Sequence, residues 1–403
     1  MNQIVIVGAG HAGFQCAAAL RQNGFDGAVV LVGNEGCTPY QRPPLSKAYL
    51  QGKMSAAELG FKSERFFAEQ RIDLRQGDAE SIDRTGREVL LRDGAVIPYD
   101  HLVLATGSQP RTLKVPGADL SGVFALQTLK DADRLRAALQ GARNAVVIGA
   151  GFIGLEFAAS ARAMGLAVQV VDVAERPMAR ALSAACGIAF TQEHQAQGAN
   201  LLWKTGVHHL EGDAGRVTAV VTSDGRRLPA DVVLVGIGAE PRTALAAQAG
   251  LTVGNGVVVD ANLRTSDPHV SAIGDIAAFP RPGTGQRIRL ESVQNATDQA
   301  RTLAASLAGK GQAYEAVPWF WSDQGKLKLQ IAGLCSGGEE HVVLGDPATR
   351  SFCVLCIADG ELRAVETVNR PGDHMVARRL LAKGARVTPE QARAAGFDLK
   401  ALA

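Results

Sequence analysis

Two short glycine-rich segments carry the residues best suited to chemistry. The first reads Gly8-Ala9-Gly10-His11-Ala12-Gly13 and the second Gly149-Ala150-Gly151-Phe152-Ile153-Gly154. In a turn of this spacing, the glycines permit a tight bend, a close approach of backbone to a pyrophosphate, and close packing of helix on strand. A helix that starts in the turn directs its positive end at the phosphates. The sequence therefore predicts two dinucleotide sites in one chain.

An acidic residue follows each turn where a ribose would lie. Glu35 comes just after the second apolar strand of the first repeat, and Asp172 closes the second strand of the other. A carboxylate at this place accepts hydrogen bonds from a ribose 2′-hydroxyl and repels a 2′-phosphate. Arg176 lies close behind Asp172, but Glu175 beside it argues against a phosphate pocket. The second site is therefore expected to prefer NADH to NADPH.

The residues around both turns predict the same order of elements, an apolar strand, a helix and a second strand. The predicted strands are residues 4–7 and 29–32 in the first repeat and 144–148 and 167–171 in the second, with helices at 13–23 and 155–164. Two such βαβ repeats predict an α/β fold with two Rossmann-like dinucleotide-binding domains. Such a pair suits hydride transfer between one tightly held cofactor and one that exchanges.

The rest of the chain predicts more strands and a change of character after Pro318. Asp224-Gly225 is typical of the turn of a hairpin. After Pro318, an antiparallel meander followed by two helices predicts a third, C-terminal α+β domain. The further predicted strands are 89–91, 101–105, 257–259, 270–273, 328–332, 341–344, 351–358 and 362–368, and the last helices 374–382 and 389–395. The domains predicted are residues 1–110 with 240–318, residues 111–239, and residues 319–403.

Composition excludes several classes of protein. The 403 residues carry 42 basic and 40 acidic side chains, a net charge of +2, which argues against dedicated nucleic-acid or membrane binding. No apolar run has the length of about 18 residues that a membrane span needs. We therefore expect a monomeric cytoplasmic protein that binds neither nucleic acid nor membrane.

Six scattered cysteines argue against a disulfide scaffold. Cys353 and Cys356 have the spacing of a redox pair, but their segment reads as a strand, in which positions three apart point to opposite faces. Both are expected to be buried thiols. No metal site is expected, because the adjacent His208 and His209 lack further ligands at suitable spacing.

Further blocks of sequence carry a family resemblance. They are Pro39-Tyr40-Gln41-Arg42-Pro43-Pro44-Leu45-Ser46-Lys47, Ile273-Gly274-Asp275, Arg289-Leu290-Glu291-Ser292-Val293-Gln294-Asn295-Ala296 and Trp321-Ser322-Asp323-Gln324. Together with the two glycine turns, the second continuing to Glu156, they resemble the FAD-dependent NADH:ferredoxin reductases of oxygenase systems, the family of putidaredoxin reductase and the biphenyl dioxygenase ferredoxin reductase. The resemblance spans nearly the whole chain and implies a glutathione reductase-like arrangement in which the C-terminal domain is an interface domain.

The resemblance also implies roles for individual residues. For FAD, the implied set is Gly8, Gly10, Gly13, Glu35, Arg42, Lys47, Thr106, Gly107, Asp275, Val293 and Trp321, with Trp321 beside the isoalloxazine and the backbone near Val293 at the pyrimidine edge. For NADH, it is Gly149, Gly151, Gly154, Glu156 and Asp172, with Glu156 near the nicotinamide. The catalytic residues implied are Lys47, Glu156 and Trp321.

Simple chemistry adds two expectations at these positions. Lys47 and Glu156 would form a partly buried ion pair, because either charge alone in a dry pocket would be costly. Asp275 would cap a helix or accept from a ribityl hydroxyl.

Two other functions remain open. A peroxidase, NADH oxidase or coenzyme A disulfide reductase would use one reactive thiol near the flavin, for which Cys37 is the candidate. A flavin-binding signalling protein similar to apoptosis-inducing factors would share both fingerprints.

The partner implied by the family is a small 2Fe-2S ferredoxin that serves a cytochrome P-450 or a Rieske oxygenase. Since such ferredoxins are usually acidic, basic side chains would steer the transient encounter. The candidates are Arg287, Arg289, Lys326, Lys328, Arg370, Arg378, Arg379, Lys383 and Arg386.

Overall fold

The computed structural model describes residues 1–282, 284–335 and 337–402. Its chain divides into two compact units. The first unit comprises Met1–Gln41, Ala56–Gln109 and Ala239–Ala316, and the second comprises Arg42–Ser55, Pro110–Gly238 and Val317–Ala403. The three-domain boundaries drawn from the sequence stay a prediction.

The first unit is built on a five-stranded sheet around the strand Gln3–Val7. That strand pairs in parallel with Ala28–Gly33 on one side and His101–Leu104 on the other. Its residues Ile4 to Val7 are buried, as expected where helices cover both faces of a parallel sheet. The strand order is Val270–Ala272, His101–Leu104, Gln3–Val7, Ala28–Gly33 and Ile72–Gln76.

The helix His11–Gln22 begins in the first glycine turn and packs its small residues on the long helix Val293–Leu307. Alanines dominate the buried face of His11–Gln22, which allows the two helices to approach closely. The other helices of this unit are Ala56–Leu59, Glu64–Glu69 and Ala244–Gln248. The other strands are Ala79–Asp83, Glu88–Leu91, Val96–Pro98, Ser108–Pro110, Ala239–Pro241, Val253–Gly254, Gly256–Val258, Ala277–Pro280 and Arg287–Ile288.

The second unit repeats the same plan around Asn144–Ile148. That strand pairs in parallel with Ala167–Val171 and with Val232–Val235, and the helix Phe152–Ala163 follows the second glycine turn. The sheet order is Asn200–Leu202, Ala167–Val171, Asn144–Ile148, Val232–Val235 and Val123–Phe124. A separate antiparallel sheet contains Val207–Asp213, Arg216–Thr222 and Arg227–Pro229, and the other helices are Leu129–Leu139 and Ala184–Ala196. The hairpin predicted at Asp224-Gly225 is confirmed.

The second unit also contains the C-terminal antiparallel sheet. Its order is Trp319–Gln324, Leu327–Gly333, Glu361–Val368, Ser351–Ala358 and Glu340–Asp346. The helix Pro371–Ala382 packs on one face and encloses a core with Leu355, Val365 and Leu380. The short helix Pro389–Arg393 follows. The strand Trp319–Gln324 was not among those predicted, because its last three residues are polar.

Cys353 and Cys356 are both fully buried free thiols, as predicted. Both lie on the strand Ser351–Ala358. Cys353 belongs to the hydrophobic core beneath the helix Pro371–Ala382. Within the described residues, no helix combines the length and apolar character required to cross a bilayer.

Candidate functional site

The first glycine turn is closed tightly against the sheet. The backbone N–H of Gly8 donates to the carbonyl of Val32 at 2.8 Å, and Gly8 has a φ of +113°. A Cβ at Gly8 would lie 2.2 Å from the carbonyl oxygen of Ala105, and one at Gly13 would lie 1.8 Å from that of Gly8. Both positions therefore exclude any side chain. Gly10 precedes the helix, which has no side-chain cap. The first N–H groups of a helix have no carbonyl partner within it, which suits an anionic ligand.

The second turn repeats this construction. Gly149 donates to the carbonyl of Val171 at 2.8 Å, and a Cβ at Gly149 would lie 2.4 Å from the carbonyl oxygen of Gly236. A Cβ at Gly154 would lie 2.1 Å from the oxygen of Gly149. Gly151 differs, since the nearest atom to its added Cβ is the Gly236 oxygen at 3.8 Å. The fold does not require glycine at 151, whereas a pyrophosphate lying against the backbone would, so this turn fits a dinucleotide.

The acidic residue after each turn is held by its own surroundings. Glu35 accepts a hydrogen bond from the hydroxyl of Tyr40. Asp172 accepts from the backbone N–H of Ala150 at 2.6 Å and, through its other oxygen, from Ala174 at 2.7 Å. Asp172 therefore fastens the glycine turn to the second strand. Each of its oxygens keeps a lone pair for a ribose hydroxyl.

Arg176 contacts the backbone of its own loop. Its guanidinium donates to the carbonyls of Ala179 at 3.1 Å and Ser183 at 3.4 Å. These contacts fit a structural role better than recognition of a 2′-phosphate.

The other predicted FAD residues of the first unit lie at strand and helix ends. The hydroxyl of Thr106 donates to the carbonyl of Arg242 at 3.2 Å, and the backbone N–H of Arg242 donates to Gly107 at 3.0 Å. Val293 is the first residue of the helix Val293–Leu307, whose cap is Ser292. The N–H of Asn295 donates to the hydroxyl of Ser292 at 3.0 Å. The N–H groups of Val293 and Gln294 precede the first bond within the helix and suit an acceptor-rich ligand edge.

Asp275 does not cap a helix, so this part of the sequence prediction is wrong. The 3₁₀ turn Gly274–Ile276 starts after Ile273 and has no side-chain cap. Asp275 lies within the turn, where its carboxylate accepts from the hydroxyl of Ser108 at 3.2 Å. The other predicted role, acceptance from a ribityl hydroxyl, stays a prediction.

The second unit brings Lys47 and Glu156 together. The ammonium of Lys47 lies 2.6 Å from Oε2 of Glu156, with side chains 21% and 7% exposed. The hydroxyl of Ser46 donates to the same oxygen at 2.6 Å, and that of Ser322 donates to Oε1 at 2.7 Å. Three donors thus surround one buried carboxylate. Two of them come from one segment, because Ser46 ends the 3₁₀ turn Pro43–Ser46 and Lys47 follows it.

A line of hydrogen bonds continues from this carboxylate into the unit. The amide of Gln324 donates to the hydroxyl of Ser322 at 3.1 Å, and its oxygen lies 2.9 Å from Nε2 of His194. Burial lowers the pKa of His194. Since Gln324 uses its oxygen there, the neutral ring donates through Nε2. The sequence analysis quoted Gln324 only within a family block and gave neither it nor His194 a role, because their burial becomes visible only in the fold.

Trp321 lies in an aromatic cluster on the strand Trp319–Gln324, on the face opposite to Ser322. Its ring centroid is 5.6 Å from that of Trp319. The ring of Trp319 is in turn 5.3 Å from the ring of His374, and the guanidinium of Arg378 lies over it at 4.9 Å. Burial first, then the charge of Arg378, lowers the pKa of His374 to about 4. Arg42 lies elsewhere in this unit and donates to the carbonyl of Gln127 at 2.6 Å.

The candidate basic residues differ in their availability. In the first unit, Arg289 is 9% exposed and paired with Glu291, and Arg287 donates to the carbonyl of Val259. In the second unit, Arg370 pairs with Asp373, and Arg386 lies 3.8 Å from Glu361. Among the candidates, the exposed ones are Lys326, Lys328, Arg378, Arg379, Lys383 and Arg386.

Comparison with known families gives two matches that follow one another along the chain. A family model described as pyridine nucleotide-disulphide oxidoreductase matches residues 2–300. A second, described as reductase C-terminal, matches residues 319–403. The chain is also 49% identical to rhodocoxin reductase of Rhodococcus erythropolis over 98% of its own length and 93% of that protein.

Solved structures give the same result. The ferredoxin reductase for the CYP199A2 system of Rhodopseudomonas palustris matches with a TM-score of 0.97 and 48% identity, covering 100% of both chains. Putidaredoxin reductase in its covalent complex with putidaredoxin matches with a TM-score of 0.96 and 38% identity, covering 100% of this chain and 98% of that one.

Proposed function

This chain belongs to the pyridine nucleotide-disulphide oxidoreductase family, in the form that carries a reductase C-terminal domain, and from that premise we propose that it is an NADH-dependent ferredoxin reductase with FAD as its resident cofactor. It takes electrons from NADH and delivers them to a small 2Fe-2S ferredoxin that serves an oxygenase. Two relatives that it resembles over 93% of their lengths are named for the reduction of a protein, namely rhodocoxin reductase and putidaredoxin reductase CamA.

The observation that carries the proposal is the duplicated glycine turn. Each turn is a strand–turn–helix in which a Cβ would strike a neighbouring backbone, and each is followed by an anchored acidic residue. One chain thus offers two dinucleotide cradles of the same construction. A protein with two such cradles is suited to passing a hydride from one nucleotide to another, and FAD, when bound, supplies the conversion of hydride transfer into single-electron transfer.

The residues of the first unit hold FAD in this proposal. Gly8, Gly10 and Gly13 receive the pyrophosphate, and Glu35 accepts from the adenosine ribose. Asp275 accepts from the ribityl chain, and the first N–H groups at Val293 donate to the flavin edge. Thr106 and Gly107 supply further contacts from this unit, and the resemblance also assigns to FAD three residues of the second unit, Arg42, Lys47 and Trp321.

The residues of the second unit bind and orient NADH. Gly149, Gly151 and Gly154 receive its pyrophosphate, and Asp172 accepts from its ribose. Glu156, neutralised by Lys47 and fixed by Ser46 and Ser322, supplies a polar group of fixed position near the nicotinamide. No side chain needs to move a proton at this step, so the protein contributes orientation and electrostatics.

The ferredoxin partner is an acidic protein that meets exposed cations of the C-terminal domain. Lys326 and Lys328 lie on the hairpin that begins this domain. Arg378 and Arg379 lie on the helix Pro371–Ala382, and Lys383 is its C-cap residue. Such surface charges act chiefly on the rate of encounter. The proposal includes a monomer in the cytoplasm, where NADH is available.

The alternative thiol-based activities have less support. Burial raises the pKa of Cys16 to about 12, so this neighbour of the first turn stays a thiol. Cys37 would have to act alone.

The test begins with the purified yellow protein. Its flavin, released by denaturation, should be FAD, and anaerobic mixing with NADH should reduce it far faster than mixing with NADPH at equal concentration. Release of FMN, or equal rates with both nucleotides, would contradict the assignment of Asp172 and the second cradle.

A further inference from the structure

Two thiols and an imidazole meet in the C-terminal sheet, outside the residues assigned to either nucleotide. The sulfurs of Cys335 and Cys356 and one ring nitrogen of His341 all lie within 4.8 Å of one another. Cys356 is fully buried, whereas Cys335 and His341 are exposed. The cluster therefore joins the interior of the sheet to solvent.

Strand pairing sets this arrangement. His341 on the edge strand is the register partner of Cys356, and Cys356 is the partner of Ala364 on the next strand. Ala364 in turn faces Gly333, after which the chain leaves the sheet towards Cys335. Directly paired residues project to the same face, so His341 and Cys356 are neighbours by construction. Because the side chain of Ala364 is small, the chain after Gly333 has room to bring Cys335 close to His341 and Cys356.

Protonated thiols are compatible with a metal site. A bound cation displaces the proton from each thiol that it binds.

The donor set and its spacing suit a thiophilic cation. Two thiolates and an imidazole are ligands that Zn²⁺ prefers, and hard cations such as Mg²⁺ select oxygen instead. With Zn–S near 2.3 Å and Zn–N near 2.0–2.1 Å, tetrahedral donors stand roughly 3.3–3.8 Å apart. Separations of up to 4.8 Å would need to shrink by about 1.5 Å at most, and Cys335, which lies outside the strands, is the ligand placed to move.

We propose that Cys335, His341 and Cys356 form a Zn²⁺ site with three protein ligands and a fourth position open to solvent. Binding replaces the two thiol protons, which are released to solvent, and forms two Zn–S bonds and one Zn–N bond. The cation ties the loop after Gly333 to the two outer strands of the sheet. The sequence did not reveal the site, because its ligands come from a loop and two strands and follow no spacing motif.

The site is tested by Zn²⁺ titration of the reduced, tag-free, FAD-containing protein in competition with a chromophoric chelator. We expect one equivalent to bind, and Cys335→Ser and His341→Asn each to weaken that binding about 100-fold, since each removes one of three ligands. Zn²⁺ should also slow alkylation of Cys335, followed by peptide mass spectrometry. Both substitutions are at exposed positions, so their folding does not limit the test, whereas Cys356→Ser would disturb the core.

Cys37→Ser is the matched control, since it removes a partly exposed thiol outside the cluster and should leave the Zn²⁺ affinity unchanged. Equal binding by the wild-type chain and the Cys335→Ser/His341→Asn double variant would overturn the proposal. The proposal would also be overturned if the protein bound no Zn²⁺ and instead formed a Cys335–Cys356 disulfide in air, with a mass loss of two hydrogens.

Discussion

Three donors converge on the buried carboxylate of Glu156. Lys47 supplies the opposite charge at 2.6 Å from Oε2. The hydroxyl of Ser46 donates to the same oxygen, and that of Ser322 donates to Oε1. A charge in a largely dry place is tolerated because it is paired and hydrogen-bonded at both oxygens. The group is therefore held in one position, as its proposed place near the nicotinamide requires.

Lys47→Ala should lower both the free energy of unfolding and the rate of flavin reduction. Removing the cation leaves Glu156 uncompensated, and because Lys47 is partly exposed we expect a loss near the lower end of the usual range, about 3 kcal/mol in the free energy of unfolding. The rate of flavin reduction by NADH should fall on the order of tenfold. Urea denaturation and stopped-flow reduction measure the two effects.

The Lys47→Ala/Glu156→Gln double variant is the control, because it removes the unpaired charge and should recover much of the stability. If Lys47→Ala left flavin content, stability and reduction rate unchanged, the ion pair would have no part in binding NADH.

The sequence predicted single residues unevenly. The glycines and their acidic partners belong to local patterns, so their positions followed from spacing. Lys47 and Glu156 are far apart in the chain, and their pairing was expected only through resemblance and the cost of an isolated charge. Gln324 and His194 were missed, because each looks ordinary until the fold joins them.

At the scale of elements, the two glycine turns show which features belong to the fold and which to the ligand. At Gly149 and Gly154 an added Cβ would strike backbone, so these residues are needed for the turn itself. At Gly151 it would meet no atom closer than 3.8 Å, so the turn itself does not require glycine there, and the proposed nucleotide site gives the residue its role.

Gly151→Ala should therefore separate folding from binding. We expect unchanged FAD content and thermal stability, with the KM for NADH raised about 100-fold, because the methyl group occupies the space of the pyrophosphate. Steady-state kinetics with a dye acceptor measure this. Gly254→Ala, at an open position of the first unit, should change neither property. Unaltered KM in the Gly151 variant would place the pyrophosphate elsewhere.

The first sheet contains a group that makes its stability depend on pH. His101 is buried, with Nε2 3.0 Å from the hydroxyl of Ser271. Burial, aided by the charges of His269 and Arg264 and opposed by Asp267, lowers the pKa of His101 from 6.5 to about 4. Between these values the unfolded chain binds more protons than the folded one, so acid favours unfolding.

The unfolding free energy should thus fall as the pH is lowered from 6.5 to 4, and His101→Gln, which keeps a neutral hydrogen-bonding group, should make that fall shallower. Urea denaturation with excess FAD at several pH values gives the two slopes. Parallel curves for both proteins would show that His101 is not the titrating group.

Most elements were predictable because apolar periodicity and glycine turns are local. Two that escaped prediction, Ile72–Gln76 and Trp319–Gln324, are strands rich in polar residues. In Trp319–Gln324 the buried polar residues form tertiary hydrogen bonds, since Ser322 donates to Glu156 and Gln324 donates to Ser322. A tertiary requirement there replaced the apolar pattern from which strands are recognised.

At the scale of the whole molecule, charge is balanced overall but not everywhere. The helix Pro371–Ala382 and the hairpin at Lys326 and Lys328 present exposed cations, whereas the net charge of the chain is only +2. Local patches of this kind steer an oppositely charged partner without attracting polyanions in general. The sequence identified these basic residues as candidates, but the fold shows that Arg289 is paired with Glu291 and Arg370 with Asp373.

The most direct test of the account follows electrons from NADH through the protein to a reconstituted 2Fe-2S ferredoxin, with a small dye as a parallel acceptor, at increasing ionic strength. We predict rapid reduction of the ferredoxin by NADH, at a rate that falls as salt screens the encounter, while the rate of dye reduction stays nearly constant. Equal effects of salt on both acceptors would contradict the basic surface. Rapid reduction of the flavin by NADH with no reduction of any 2Fe-2S ferredoxin would contradict the proposed function itself.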